Sequence, residues 1–441
     1  MTTKIQKVFR IVPYSILGIA IFSVLPFPKN DNAIIALINI TAFWWLVQFL
    51  ILYNFWISRK YFFDKSQKMM MVWVQLYLLW NVFNIVRGLL VAETYWDWKA
   101  LIGNGMALMI PMVAYSTTNV VFFQSFLKGC VKYGLPSFGI FLFLITNDAF
   151  GYYLVPFSFL ALFVPIIKRP WNWIILAVSV FVMVADVTAR SNVLKFGVPI
   201  TLSFIYYFRF ILSTKILELI RKLLFVTPLL FFFLAVTGVF NVFNMDEYVK
   251  GDAVETRIDT KGEIIEEDLK GDSRTFLYLE VLNTALKLDT WWIGRSPARG
   301  NISESFGEGD MNKRGERLMN EVCILNVFTW TGIVGVLLYM MAFYKASYIA
   351  INQSNNIFSK ILGLFVAFRW LFAWVEDINN FTLTTFFLWF MIGLCFSKTF
   401  RKMNDQEVRI WVRGIFEKEN PLSRRMRHIL EFTNNNKNNN I

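Results

Sequence analysis

Residues 321–344 read EVCILNVFTWTGIVGVLLYMMAFY, and Lys345 closes them. After Glu321 the stretch carries no charge and no proline, and it exceeds the roughly 20 residues that an α-helix needs to cross a hydrocarbon core. A backbone in lipid must satisfy its own hydrogen bonds, so an isolated run of this kind is a helix, not a strand. Eleven further apolar runs show the same pattern: 11–27, 33–56, 69–91, 100–116, 131–147, 150–167, 171–186, 193–212, 223–244, 361–376 and 381–398. The fold class expected is therefore all-α, a polytopic membrane protein of about twelve transmembrane helices. Its plan is a bundle of nine helices over 1–244, a large loop over 245–320, three helices over 321–398 and a basic tail over 399–441.

Composition agrees. Soluble chains carry about 25% charged residues, whereas this 441-residue chain carries 17%, with 56% hydrophobic residues and a mean hydropathy of +0.48. That excludes an ordinary soluble enzyme and a disordered chain. The lone histidine, His428, lies near the C-terminus, so a histidine–metal site in the body of the protein is excluded. Cys130, Cys323 and Cys395 form no Cys-x-x-Cys pair, so neither a disulfide framework nor a thiolate zinc site is expected. The first run follows Lys4, Lys7 and Arg10 in the manner of a signal peptide. Pro26-Phe27-Pro28-Lys29 stands where a small-residue cleavage site belongs, so a retained helix is expected.

Lys and Arg in the loops set orientation. With the N-terminus inside, cytoplasmic segments hold 25 basic residues, ten of them after the last helix, and the short outer loops hold three: Lys29, Lys99 and Arg190. Both termini are then cytoplasmic, and the net charge of +13 is explained without nucleic acid. The basic tail lies within reach of anionic lipid headgroups, and its Asn-rich end, 434–440, reads as disordered.

This orientation puts the 245–320 loop on the outer face. Its first part, 246–271, is acidic and reads as a solvated spacer. Asp272 or Ser273 can then cap a helix in which Phe276, Leu279, Leu282 and Leu286 recur at helical spacing, an amphipathic helix for the membrane surface or the bundle. It ends near Asp289, and Trp291 and Trp292 suit the interface. Gly294-Arg295-Ser296-Pro297-Ala298-Arg299-Gly300 places two guanidinium groups in a glycine-bounded turn, a geometry suited to phosphate. Arg314, Arg317, Asn320 and Glu321 follow. Glu321, taken alone, fits dipole complementation of the next helix as well as it fits catalysis.

Ionisable residues in or near spans mark function by default. Arg87, Arg190, Arg274, Arg295, Arg299 and Arg317 can all lie near the outer leaflet, with Arg369 deeper, seven residues before Glu376. Lys195 and Arg209 fall inside the two ends of one run and read as neutral for topology. Clustered outer arginines suit a large anion with an apolar tail, such as a lipid-linked pyrophosphate.

The chain resembles the O-antigen polymerase and O-antigen ligase superfamily. The resemblance is carried by many helices with one large late loop, by Arg190-Ser191, by Asp272-Ser273-Arg274, by Gly294-Arg295, and by Asn320-Glu321-x-x-x-Leu325 leading to Gly332-x-x-Gly335. Ligases of the superfamily place a histidine where Glu321 stands, which favours a polymerase. The resemblance implies a glycosyltransferase of a bacterial inner membrane, in polysaccharide or lipopolysaccharide biosynthesis. A sugar hydroxyl of a new repeat unit attacks the anomeric carbon of a glycan on undecaprenyl pyrophosphate, and the carrier leaves. Arg190, Arg274, Arg295 and Arg299 are the candidates to hold the pyrophosphate, Glu321 to act as base, and Arg87, Arg317, Asn320 and Arg369 to bind substrate. A chain-length regulator and a flippase are the implied partners. No metal, cofactor or nucleotide sugar is expected, and no phosphate-cradling Gly-x-x-x-x-Gly-Lys-Ser/Thr loop is present. Alternatives are a ligase acting on the same carrier, and a flippase or transporter of lipid-linked oligosaccharide.

Overall fold

A computed structural model describes residues 3–29, 40–186, 190–237, 239–241, 243, 254–258, 264–268, 274–305 and 312–417. Asp272 and Ser273, most of the acidic segment, His428 and the Asn-rich end lie outside the described residues.

The chain is helical apart from two small antiparallel sheets. In order the helices are α1 (Thr3–Val24), α2 (Thr41–Phe62), α3 (Val72–Val91), α4 (Tyr95–Met109), α5 (Val113–Thr117), α6 (Val120–Gly129), α7 (Leu135–Phe141), α8 (Phe150–Tyr153), α9 (Val155–Ala161), α10 (Trp171–Ala185), α11 (Arg190–Ser203) and α12 (Thr214–Val236). After strands β1 (Val254–Ile258) and β2 (Ile264–Asp268) come α13 (Thr275–Lys287), strands β3 (Asn301–Ile302) and β4 (Glu316–Arg317), then α14 (Cys323–Asn352), α15 (Ile357–Phe372), α16 (Leu383–Phe396), α17 (Lys398–Lys402) and α18 (Asp405–Phe416).

Among the described residues, five helical segments are long and apolar enough to cross a membrane: 41–62, 72–91, 95–117, 214–236 and 323–352. Three shorter apolar helices accompany them, 14–24, 171–185 and 383–396. Several of the expected runs are broken, and proline is the common cause. Pro136 has no N–H for the Lys132 carbonyl, and the chain takes a π turn over Cys130–Gly134 before α7. Pro111 falls in the 3₁₀ turn between α4 and α5, and Pro156 starts α9.

α15 and α16 form the centre, buried over almost their whole length, with Trp370, Trp389, Phe386, Phe387 and Phe390 in the core. α2, α3 and α12 enclose them and turn Phe49, Leu79, Leu90, Leu219 and Phe233 outward. Exposed apolar surface on that scale is a membrane-facing surface.

The two ends of the bundle are tied separately. At one, the Ser397 hydroxyl donates to Thr118 O at 2.6 Å, Asn356 Nδ2 to Phe400 O at 2.9 Å and Lys360 Nζ to Thr214 Oγ1 at 2.8 Å. The expected tail begins there as α17 and α18, and Trp411 of α18 donates to Val120 O at 2.9 Å. At the other end, Asn192 Nδ2 donates to Asp148 O at 2.9 Å and the Cys323 N–H to Glu376 O at 3.2 Å.

Within 245–320 the described residues carry more secondary structure than the composition suggests. β1 and β2 form a hairpin inside the acidic stretch, with Thr256 opposite Glu266. In α13 the buried face is Leu277, Tyr278, Val281, Thr284 and Ala285, one step round from the expected stripe. Leu279 and Leu286 face outward. The helix carries two apolar stripes, and packing against the start of α14 selects the one that includes small Ala285.

The segment's second half is built into α14. Gly332 (φ 68°, ψ −172°) interrupts that helix. The carbonyls freed by the break are taken by Arg295 N–H (to Thr329 O, 2.6 Å), Ser296 N–H (to Trp330 O, 3.1 Å) and Trp80 Nε1 (to Thr331 O, 2.8 Å). The Ile333 and Val334 N–H groups donate to Trp291 O and Trp292 O at 2.8 and 3.4 Å. Gly294, also at positive φ, lies against this break, where a Cβ would meet the backbone of Trp330–Gly332. The Gly294-Arg295 and Gly332 motifs are thus two sides of one backbone junction.

Candidate functional site

At the end of the bundle bearing this segment, four elements bring charged side chains together. Glu376, in the α15–α16 turn, is the hub. Its Oε1 lies 3.1 Å from Lys195 Nζ and accepts from the Tyr152 hydroxyl at 3.2 Å. Arg274, at the N-terminus of α13, brings Nη2 to 3.8 Å from Glu376 Oε2 and donates through Nη1 to Val375 O. Lys195 is fully buried, lies 4.2 Å from the Tyr152 ring centroid, and donates to Ser191 Oγ at 3.1 Å. Arg190 opens the same helix on its exposed side. Arg369 is buried in α15, within electrostatic reach of Glu376 and Tyr339.

Asp377 adds a second carboxyl. Burial pushes it up to about 7, the neighbouring Glu376 adds to this, and the Asn379 N–H opposes it at 2.9 Å. Three cations, Lys195, Arg274 and Arg369, thus lie around Glu376, with Asp377 next to it in the turn and Asp148 within electrostatic reach of Lys195.

Directly beside Arg274 lies an apolar groove of about 180 Å³ between α12, α13 and the end of α15. Phe232, Phe243, Tyr278, Leu282, Trp374 and Val375 line it. Val375, whose carbonyl takes the Arg274 guanidinium, is part of its wall, so the groove and the charged cluster share an edge.

The other expected residues fall elsewhere. Arg295 and Arg299 converge on Glu316 of β4 at 2.8 and 2.6 Å, and Arg295 also donates to Gly300 O. Burial disfavours the Glu316 charge, but the two guanidinium groups outweigh it and hold the carboxyl below its ordinary value. This buried triad braces the loop, and its arginines are occupied by a carboxylate. Arg87 donates to Asn84 Oδ1 and Ile293 O, both at 2.7 Å, and to Gly294 O, which clamps the same loop to α3. Asn320 exchanges hydrogen bonds with Asn326, giving its N–H to Oδ1 at 2.7 Å and taking Nδ2 on its carbonyl at 2.8 Å. The Glu321 side chain is 55% exposed and pairs with Arg317 at 3.0 Å. The structure therefore brings Arg274, Arg369 and the start of α11 together, and it keeps Glu321, Arg295, Arg299 and Arg87 out of that cluster.

Lys195, Tyr152, Glu376 and Asp377 were not singled out from sequence. A lysine inside an apolar run was the available signal for Lys195, and adjacent acids between two apolar helices the signal for the others. Among the described residues no group of histidine, cysteine and carboxylate side chains has metal-binding geometry. No family model matches the chain, and a search of curated proteins finds no similar one.

Proposed function

We propose that this protein is a polysaccharide polymerase that joins undecaprenyl-pyrophosphate-linked repeat units at the outer face of a bacterial inner membrane. The observation that carries this reading is the shared edge between the apolar groove and the cationic cluster at Arg274. A lipid-linked pyrophosphate needs both: apolar walls for its tail, and fixed positive charge where the leaving oxygens develop negative charge. Arg274 and Arg190 supply that charge, Lys195 holds Glu376 in place, and α13 lies between the groove and the cluster as a lateral post. Arg295 and Arg299 act one step back, holding the loop that carries α13.

The topology belongs to the same reading. Helix ends alternate between the two tied ends of the bundle. Counting α4–α5, α6–α7 and α8–α9 as bent single spans gives twelve crossings, with both chain ends on the side opposite Arg274. Basic residues then gather on the cytoplasmic side.

The test is reconstitution of the full chain in proteoliposomes with lipid-linked repeat units isolated from the source cells. Chain growth without nucleotide supports the polymerase. Transfer to a different acceptor assigns a ligase, and movement across the bilayer without new bonds assigns a flippase.

A further inference from the structure

A second apolar recess, of about 440 Å³, is bounded by α2, α3 and α4 and shares no lining residue with the groove beside Arg274. No charged side chain lines it. Gly105 of α4 leaves its floor low, and the rim residues Phe49, Tyr53, Trp56 and Leu89 are each more than half exposed. The three helices are long and apolar enough to cross a membrane, so the recess opens sideways into hydrocarbon. Met106, Met109 and Met112 follow one another along its inner wall. Their unbranched thioethers adapt to an irregular partner such as an acyl chain.

The recess has a cation at one end. Arg59 Cζ lies 4.3 Å from the Trp56 ring centroid and 5.4 Å from that of Tyr115. Trp56 is thus both a wall of the recess and a platform for Arg59. Stacking occupies the face of a guanidinium and leaves its N–H edge for an anion. Among the described residues no carboxylate pairs with that edge. Asp64, the nearest acid in sequence, takes the Ser66 N–H and Gln67 Nε2 instead. Exposed Lys60 adds a second positive charge. This is the end tied by Ser397 and Thr118, opposite Arg274.

We propose that this recess binds a phospholipid with an anionic headgroup. Its phosphate sits against the N–H edge of Arg59, and one acyl chain runs along Trp56, Met109 and Met106. The proposal is independent of the polymerase reading.

Depth agrees with a lipid of one leaflet. Met106 and Tyr115 are separated by about 15 Å of helical rise, and half of a hydrocarbon core is about 15 Å. Charge favours a lipid over a second copy of the chain. A second copy would have to bring a carboxylate to Arg59, and the described acids at this end are already used. Asp64, Asp405 and Glu407 take backbone N–H groups, Glu218 pairs with Arg221, and Glu417 pairs with Lys168. Anionic lipid is also what a cytoplasmic leaflet offers to basic residues at its surface.

The experiment titrates the full chain, stripped of lipid in detergent, with dioleoyl phosphatidylglycerol and separately with dioleoyl phosphatidylcholine. Native mass spectrometry reads bound lipid and oligomeric state. One phosphatidylglycerol is expected to bind about tenfold more tightly than phosphatidylcholine. Arg59→Gln is expected to abolish that preference and leave phosphatidylcholine binding unchanged. Met106→Trp, which fills the recess, is expected to weaken both. Equal binding of the two lipids by the parent overturns the proposal. So does a preference that survives both variants, which would place the lipid on other basic residues at this end. A dimer that Met106→Trp dissociates assigns the recess to a second copy, and undecaprenyl phosphate displacing phosphatidylglycerol at equal concentration assigns it to the carrier; either result overturns the proposal. If Arg59→Gln does not fold, Arg59→Lys decides, because it keeps the charge and loses the planar fork. Weaker phosphatidylglycerol binding with phosphatidylcholine unchanged supports the site, and no change overturns it.

Discussion

Arg274 sits where a groove wall meets an ion-pair cluster, so its removal should separate binding from folding. Arg274→Ala is expected to weaken undecaprenyl pyrophosphate binding by about tenfold or more, from loss of a charge-assisted bond worth about 1.5–3 kcal/mol. Titration calorimetry in detergent checks this, with a melting temperature near the parent's. Lys195 behaves differently. It is fully buried, and Lys195→Met leaves Glu376 with the Tyr152 hydroxyl and the 3.8 Å contact to Arg274. Breaking a buried pair costs about 3–5 kcal/mol, so a clear fall in melting temperature is expected, toward the lower figure because Arg274 remains. Arg274 was legible in the sequence because it opens a helix after a solvated spacer. Lys195 was not, because a lysine near the end of an apolar run reads equally as a topology signal. Its partner is 181 residues away, and only the packed fold joins them.

Elements explain why the loop motifs were misleading about chemistry. Gly294-Arg295 had the composition of a phosphate turn, yet the Arg295 and Ser296 N–H groups close the break in α14, and Glu316 takes the Arg295 and Arg299 guanidinium groups. Composition could propose an anion but could not tell a phosphate from a carboxylate 21 residues downstream in the same loop. Gly332 marks the matching side of the junction: its positive φ and the Trp292 carbonyl where a Cβ would stand leave room for glycine alone. Gly332→Ala should therefore free the 290–297 backbone, raising its amide hydrogen exchange while the centre of α15 stays protected. Glu316→Gln tests the other brace. It leaves two guanidinium groups without their shared carboxylate, so protease sensitivity between Ser303 and Arg317 should increase. The sign with pH follows. A carboxylate held below its ordinary value stabilises the docked loop above about pH 4.3 and loses that contribution as pH falls through the lower folded value. In the parent, added protease sensitivity should appear only in acid, whereas Glu316→Gln should show it at neutral pH.

Across the whole molecule, the polymerase reading depends on which side of the membrane each end of the bundle faces. The five long apolar helices were legible from hydropathy because lipid demands it of every exposed residue. Breaks in the apolar runs were less so, because a kink at Pro136 or Gly332 is repaired by packing that a linear pattern does not carry. The alternation of ends supplies a direct test. Cys130, Cys323 and Cys395 are all buried, so a membrane-impermeant maleimide has little to label in the parent. Glu93 is exposed at the Arg274 end, between α3 and α4, and Lys68 is exposed at the opposite end, between α2 and α3. A single helix, α3, separates the two positions, so a cysteine at each reports one crossing. Glu93→Cys should label in intact spheroplasts, and Lys68→Cys only after permeabilisation. The reverse pattern would put the groove and Arg274 on the cytoplasmic side. Lipid-linked units that have already been flipped could not reach them there, and polymerisation at the outer face would have to be abandoned. Labelling of both positions in intact spheroplasts would mean that α3 does not span, against its 20-residue length and outward-facing leucines.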